Sequence, residues 1–92
     1  VRWSVAKIHD LKCWPEYFKA LVSGEKSFEF RKDDRDFSVG DKLFIEEWDP
    51  ETERYTGAYV AFRVTYIACG SLIPDGFCVM SIVPIEKAGD RG

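Results

Sequence analysis

Histidine occurs once in the sequence, at His9, and the three cysteines, Cys13, Cys69 and Cys78, show no CxxC spacing. A zinc site needs three or four suitably spaced ligands, so that class is set aside. An odd number of cysteines in apolar surroundings is the usage of reduced intracellular thiols; no disulfide framework is expected, and a cytoplasmic location follows as an expectation. The chain lacks a GxxxxGKS/T loop and a GxGxxG turn, which removes the usual cradles for nucleoside triphosphates and dinucleotides; no cofactor is expected. No apolar run approaches the roughly 18 to 20 residues of a spanning helix, and the amino terminus lacks a basic-then-apolar signal pattern, so no membrane partner is expected. The first residue is Val rather than Met, as in a trimmed chain. Internal repeats and low-complexity stretches are also missing.

An excess of positive charge is missing too. Thirteen basic and 16 acidic residues leave a formal charge of −3, which argues against a surface coated for phosphate backbones. The distribution is uneven. From Glu46 to Arg54 five acids face one base, while the first 26 residues hold five bases against three acids. A weakly basic face opposite an acidic hairpin tip can accept a short single strand or one nucleotide; evenly solvated charge is the alternative.

What is present suits one small soluble domain. The 92 residues are 46% hydrophobic and 15% aromatic, enough to offset the entropy of ordering around one core, and 1–92 reads as a single domain. Trp3 to Leu11 alternates as a strand that ends at the polar pair His9 and Asp10. Pro15 suits a first helical turn, Glu16 complements the positive helix end, and Gly24 stops the helix. Trp14, Phe18, Leu21 and Val22 are spaced as its apolar stripe. After Gly24 the period becomes two, with Phe28 and Phe30 on one side of a strand and Ser27, Glu29 and Arg31 on the other. Leu43 to Trp48 and Ala58 to Ile67 form a long hairpin, and Phe77 to Val83, apolar on both parities, reads as a central strand covered on both faces. The tail from Glu86 is expected to fray. The sum is an α+β, mainly β fold: about five or six strands in a small curved sheet closing toward a barrel, with one main helix across an opening.

The segment Gly24-Glu25-Lys26-Ser27-Phe28-Glu29-Phe30-Arg31 carries the chemistry. Gly24 permits the positive φ that turns the chain from helix to strand. Glu29 and Arg31 share a strand face at a two-residue step of roughly 7 Å, close enough for one hydrogen-bond network. Lys26 falls on the opposite parity and must escape it at the sheet rim. The trio is either an internal salt bridge that fixes the barrel or a ligand-reading set. Lys12 and Trp14 are a snorkelling lysine and a core tryptophan, or a phosphate contact and a stacking platform. His9 is a hydrogen-bonded structural residue or a proton-transfer group. Asp34 and Arg35 form a turn-stabilising pair, unless Arg35 touches phosphate. Asp33, Asp34 and Asp36 read as a solvated loop rather than a Mg²⁺ site, and no metal is expected. Tyr55 either stacks on a ligand or pins the hairpin loop.

The same eight residues fit GxKxxExR, the signature of the ASCH superfamily, which resembles the PUA fold. HDLKCWPEYFKALVSG before the signature and DRDFSVGDKL after it resemble the family's flanks. With Tyr55-Thr56-Gly57, the chain looks most like an uncharacterised branch common in phages and bacteria. The resemblance covers about four fifths of the sequence. It implies a PUA-like barrel with a helix beside a cleft, and an RNA-binding module that takes single-stranded RNA or one nucleotide there. Lys26 and Arg31 would meet anionic or carbonyl groups and Glu29 would accept base or ribose hydrogen bonds, with Lys12, Trp14, Arg35 and Tyr55 as further nucleic-acid contacts. Some superfamily members resemble amidohydrolases or ribonucleases, so a hydrolase using Lys26 and Glu29 as catalytic groups is the alternative. Against it, Glu29 stands where the amidohydrolase branch has its threonine. A third reading is a phage or host interaction factor acting through the acidic hairpin Glu46 to Arg54.

Overall fold

The computed structural model describes residues 6–90. Five strands and one helix follow in the order β1 (Ile8–Cys13), α1 (Pro15–Ser23), β2 (Phe28–Lys32), β3 (Lys42–Asp49), β4 (Arg54–Ala68) and β5 (Phe77–Asp90). The strands make one sheet in the order β1-β3-β4-β5-β2, with β1 parallel to β3 and every other pair antiparallel. The sheet is a half-barrel. Its two edge strands, joined in sequence only through α1, approach each other, since Arg31 of β2 donates to the Lys12 carbonyl of β1. Inward side chains form a continuous core of Leu11, Leu43, Ile45, Val60, Phe62, Val64, Cys78, Met80 and Ile82, and α1 adds Phe18 and Leu21 to it. Burying each of these two helix residues contributes about 1.5–3 kcal/mol, which holds the helix against the sheet.

The helix has local causes at both ends. Pro15 occupies a first-turn position where an N–H would have no intrahelical acceptor, and Trp14 precedes it in extended backbone. Gly24 ends it with φ at 86°, donating to the Leu21 carbonyl, and the Lys26 N–H returns to the Ala20 carbonyl at 3.0 Å. These two bonds satisfy carbonyls that the helix end would leave open. They also fix the entry into β2.

Several expectations need correction. β1 runs through His9 and Asp10 to Cys13, with His9, Leu11 and Cys13 inward, while residues 1–5, including Trp3, lie outside the described residues. From Phe77 to Val83 β5 buries only one parity, Cys78, Met80 and Ile82, because among the described residues no second layer packs on the outer face of the sheet. Its backbone is paired with β4 as far as Asp90, so the strand extends through the described part of the tail that was expected to fray from Glu86, while residues 91–92 lie outside the described residues. The buried stripe of α1 narrows to Phe18 and Leu21, leaving Val22 and Trp14 about half exposed. Cys69 is exposed, unlike Cys13 and Cys78; all three are free thiols.

The largest departure is in β2. Glu29 is buried at 2% exposure, whereas Phe28 and Phe30 are 46% and 48% exposed. Apolar residues normally take the inner parity. Here the inner face of an edge strand meets two cations, and the carboxylate goes in to them.

Candidate functional site

Glu29 is the hub. Its Oε1 accepts from Lys26 Nζ at 3.0 Å and its Oε2 from Arg31 Nε at 2.7 Å. Burial of a lone carboxylate is costly, and two charge-assisted hydrogen bonds on opposite oxygens offset that cost. Lys26 lies before the first residue of β2, so the strand's parity does not bind it; the helix-terminal turn aims it back at Glu29. Its ammonium also lies 5.7 Å from the Tyr17 ring centre and 5.3 Å from that of Phe28. Three charges of net +1 are thereby collected at the junction of β1, α1 and β2.

A cavity of about 630 Å³ opens beside this trio. Trp14, Tyr17, Phe28 and Phe30 give it aromatic walls, Lys26, Arg31 and Lys12 supply positive charge, and Glu29 and Cys13 complete the lining. Burial pushes the Cys13 thiol up to about 11; Glu29 adds to the rise, and Lys26 and Arg31 oppose it. The thiol therefore stays protonated near neutrality and is a wall group rather than a nucleophile.

The arginines of this region face the edge of β1. Arg31 Nη2 donates to the Lys12 carbonyl at 3.2 Å and Arg35 Nη1 to the Asp10 carbonyl at 2.8 Å. Asp10 and Lys12 are two residues apart on a strand whose alternate peptides pair with β3, so these carbonyls belong to its free edge. The Arg31 side chain thus bridges the edges of β2 and β1, and Arg35, from the turn after β2, adds a second tie to β1. Arg35 is thus engaged with Asp10 instead of pairing with Asp34. Asp36 pairs with Lys7 at 2.9 Å on the exposed surface.

Five of the residues singled out in the sequence, Lys12, Trp14, Lys26, Glu29 and Arg31, line one cavity. The other two do not: Arg35 is bonded to the β1 edge, and Tyr55 sits exposed at the start of β4, opposite Trp48 in register. Lys12 is neither a plain snorkelling residue nor free, because its ammonium lies 4.1 Å from the Trp48 ring centre. Trp14 is a half-exposed wall rather than a core residue. Tyr17, Phe28, Phe30 and Cys13 were not anticipated as site residues. Tyr17 had a signal, since it stands three residues after Trp14, next to the buried Phe18. The two phenylalanines had none, because their alternation is that of a core.

His9 takes no part. Its Nε2 lies 2.8 Å from Asp41 Oδ2 in a buried pair, and its ring packs on Phe37 at 4.6 Å. Asp41 also accepts from the backbone N–H groups of Lys7 and Ser38. Burial pushes the Asp41 carboxyl up, but the bonds from Lys7, His9 and Ser38 outweigh it and hold the group below its ordinary value of 3.8. The pair anchors the turn before β3 to the start of β1.

Residues 8–82, which include every residue of the cavity, match the domain of unknown function DUF3850. The chain belongs to the DUF3850 family. A curated relative, the uncharacterised 12.9 kDa protein in the GpA 3′ region of Escherichia phage P2, is 41% identical over 61 residues, or 66% of this chain and 54% of that protein. The chain thus spans about half the length of that relative. Within this DUF3850 domain no helix is long and apolar enough to cross a membrane among the described residues.

Proposed function

We propose that this DUF3850 domain is a nucleic-acid-binding module that takes a short single-stranded RNA segment, or one nucleotide, into the cavity between α1 and β2. The observation that carries the reading is the composition of one cavity: aromatic walls around a cationic pair that is oriented by a buried carboxylate. Aromatic faces stack on any base, and Lys26 and Arg31 retain N–H groups, beyond those given to Glu29 and Lys12, for a phosphate or carbonyl oxygen. A volume of about 630 Å³ lies within the range of small-ligand sites and is far too small for a duplex. The ASCH-like signature supports the same role and a PUA-like ancestry, and a cytoplasmic setting agrees with three free thiols. Hydrolysis is less well served: both Glu29 oxygens are engaged, and the Cys13 thiol is held protonated.

The test is a fluorescence titration with single-stranded RNA oligomers at low salt. Wild-type protein should bind, and Trp14→Ala should weaken binding by about 1–3 kcal/mol, the loss of one stacking platform, with an unchanged thermal melt. Undetectable binding of every RNA and DNA oligomer would overturn the proposal.

A further inference from the structure

The cavity is lined by four consecutive residues of β2, Phe28 to Arg31, although successive side chains of a strand point to opposite faces. A hollow can touch both parities only by lying along the edge of the strand. One edge of β2 is covered by β5, so the hollow lies against the other, which pairs with no strand among the described residues.

The ladder fixes which peptide groups face that way. The bonds from Ile82 N–H to the Ser27 carbonyl and from Asp33 N–H to the Gly76 carbonyl mark 27–82 and 33–76 as hydrogen-bonded pairs of the same register. In an antiparallel ladder such pairs alternate, so Glu29 and Arg31 turn their peptide groups to β5, while Phe28 and Phe30 turn theirs to the cavity. The Phe28 carbonyl and the Phe30 N–H are therefore neighbouring acceptor and donor on the cavity wall. They stand between aromatic rings and beside two cations.

Resting on the nucleotide reading above, we propose that this main-chain edge of β2 reads the nucleobase: the Watson–Crick edge of one unpaired base hydrogen-bonds to the Phe28 carbonyl and the Phe30 N–H, with its phosphate near Lys26 and Arg31. Each standard base carries a donor beside an acceptor on that edge, so the contact selects an unpaired base over a paired one without choosing its identity. An extended peptide adding to β2 would use the same groups, but the Arg31 bond to the Lys12 carbonyl crosses the seam immediately beyond Phe30 and leaves too short a stretch for a strand. A flat ring fits that stretch. The net positive charge of the trio then favours a nucleotide over a neutral ring.

The experiment compares wild-type binding of a short oligouridylate with that of the same oligomer built from N3-methyluridine, which keeps phosphate, sugar and stacking face but loses the donor on the reading edge. Anisotropy of end-labelled oligomers is the readout, and an uncharged peptide able to extend, hexathreonine, is added as competitor. A weakening of at least about tenfold, the worth of one hydrogen bond, is the expected result, with no displacement by the peptide. Equal affinity for the two oligomers would overturn the edge contact and leave nucleic-acid binding standing. Failure of both to bind at low salt would overturn the nucleic-acid reading and the edge contact with it. Displacement by the uncharged peptide would reassign the edge to strand addition.

Discussion

Two buried carboxylates among the described residues, Asp41 and Glu29, show how the same side-chain chemistry serves different ends. Asp41 is filled by the backbone N–H groups of Lys7 and Ser38 and by His9 of β1, and it is not among the residues lining the cavity beside Glu29. Glu29 is filled by two long cationic side chains that reach a cavity wall. The first arrangement stabilises and the second also displays charge. Asp41→Asn sets an amide nitrogen against one of the donors, and urea unfolding should show a loss of about 2–3 kcal/mol. The sign of the pH effect follows from the lowered carboxyl. Asp41 binds protons more weakly in the folded state, so its contribution is complete above the ordinary value of 3.8 and is lost as pH falls through the lower folded value. Acid titration of stability should therefore steepen below about pH 3.8, and Asp41→Asn should flatten that limb.

Among the elements, α1 and its terminal turn do most to build the site. Gly24 has φ at 86°, and a Cβ placed there would meet no heavy atom within 4 Å, so a substitution there strains only the backbone. Gly24→Ala should lower stability by about 1–2 kcal/mol with an unchanged m-value in urea, and should weaken oligonucleotide binding further, because the turn aims Lys26. The helix start at Pro15, the stop at Gly24 and the β3–β4 hairpin were legible in the sequence because their signals are local: a missing N–H, a permitted positive φ, an apolar alternation. Glu29 and Arg31 could be assigned a common face for the same reason. What could not be read was which face of β2 turns inward. That depends on β5, some fifty residues away in sequence, taking one edge while the seam takes the other. The outward Phe28 and Phe30 follow from that distant pairing, and the Arg35 bond to the Asp10 carbonyl depends on the equally distant approach of β1.

At the scale of the whole molecule, charge is separated rather than abundant. The chain is net negative, yet the cavity is positive, and the hairpin acids Asp49 and Glu51 line a neighbouring hollow that shares Trp14 with it. A strand leaving the cavity past Trp14 meets carboxylates, so only the few phosphates nearest Lys26, Arg31 and Lys12 are neutralised. With about two to three such contacts, a log–log plot of affinity against salt should have a slope of about −1.4 to −2.1, and affinity should stop rising once the oligomer exceeds a few nucleotides. A steeper slope that grows with length would point to a basic track along the outer surface instead. The chain path has another result. Leu72 is 99% exposed in the β4–β5 connection, while β5 is clasped on one side by β4 and on the other by β2. Protease cleavage at that loop would sever the polypeptide without releasing the last strand, so the nicked domain should survive as a two-fragment complex that comes apart only on denaturation.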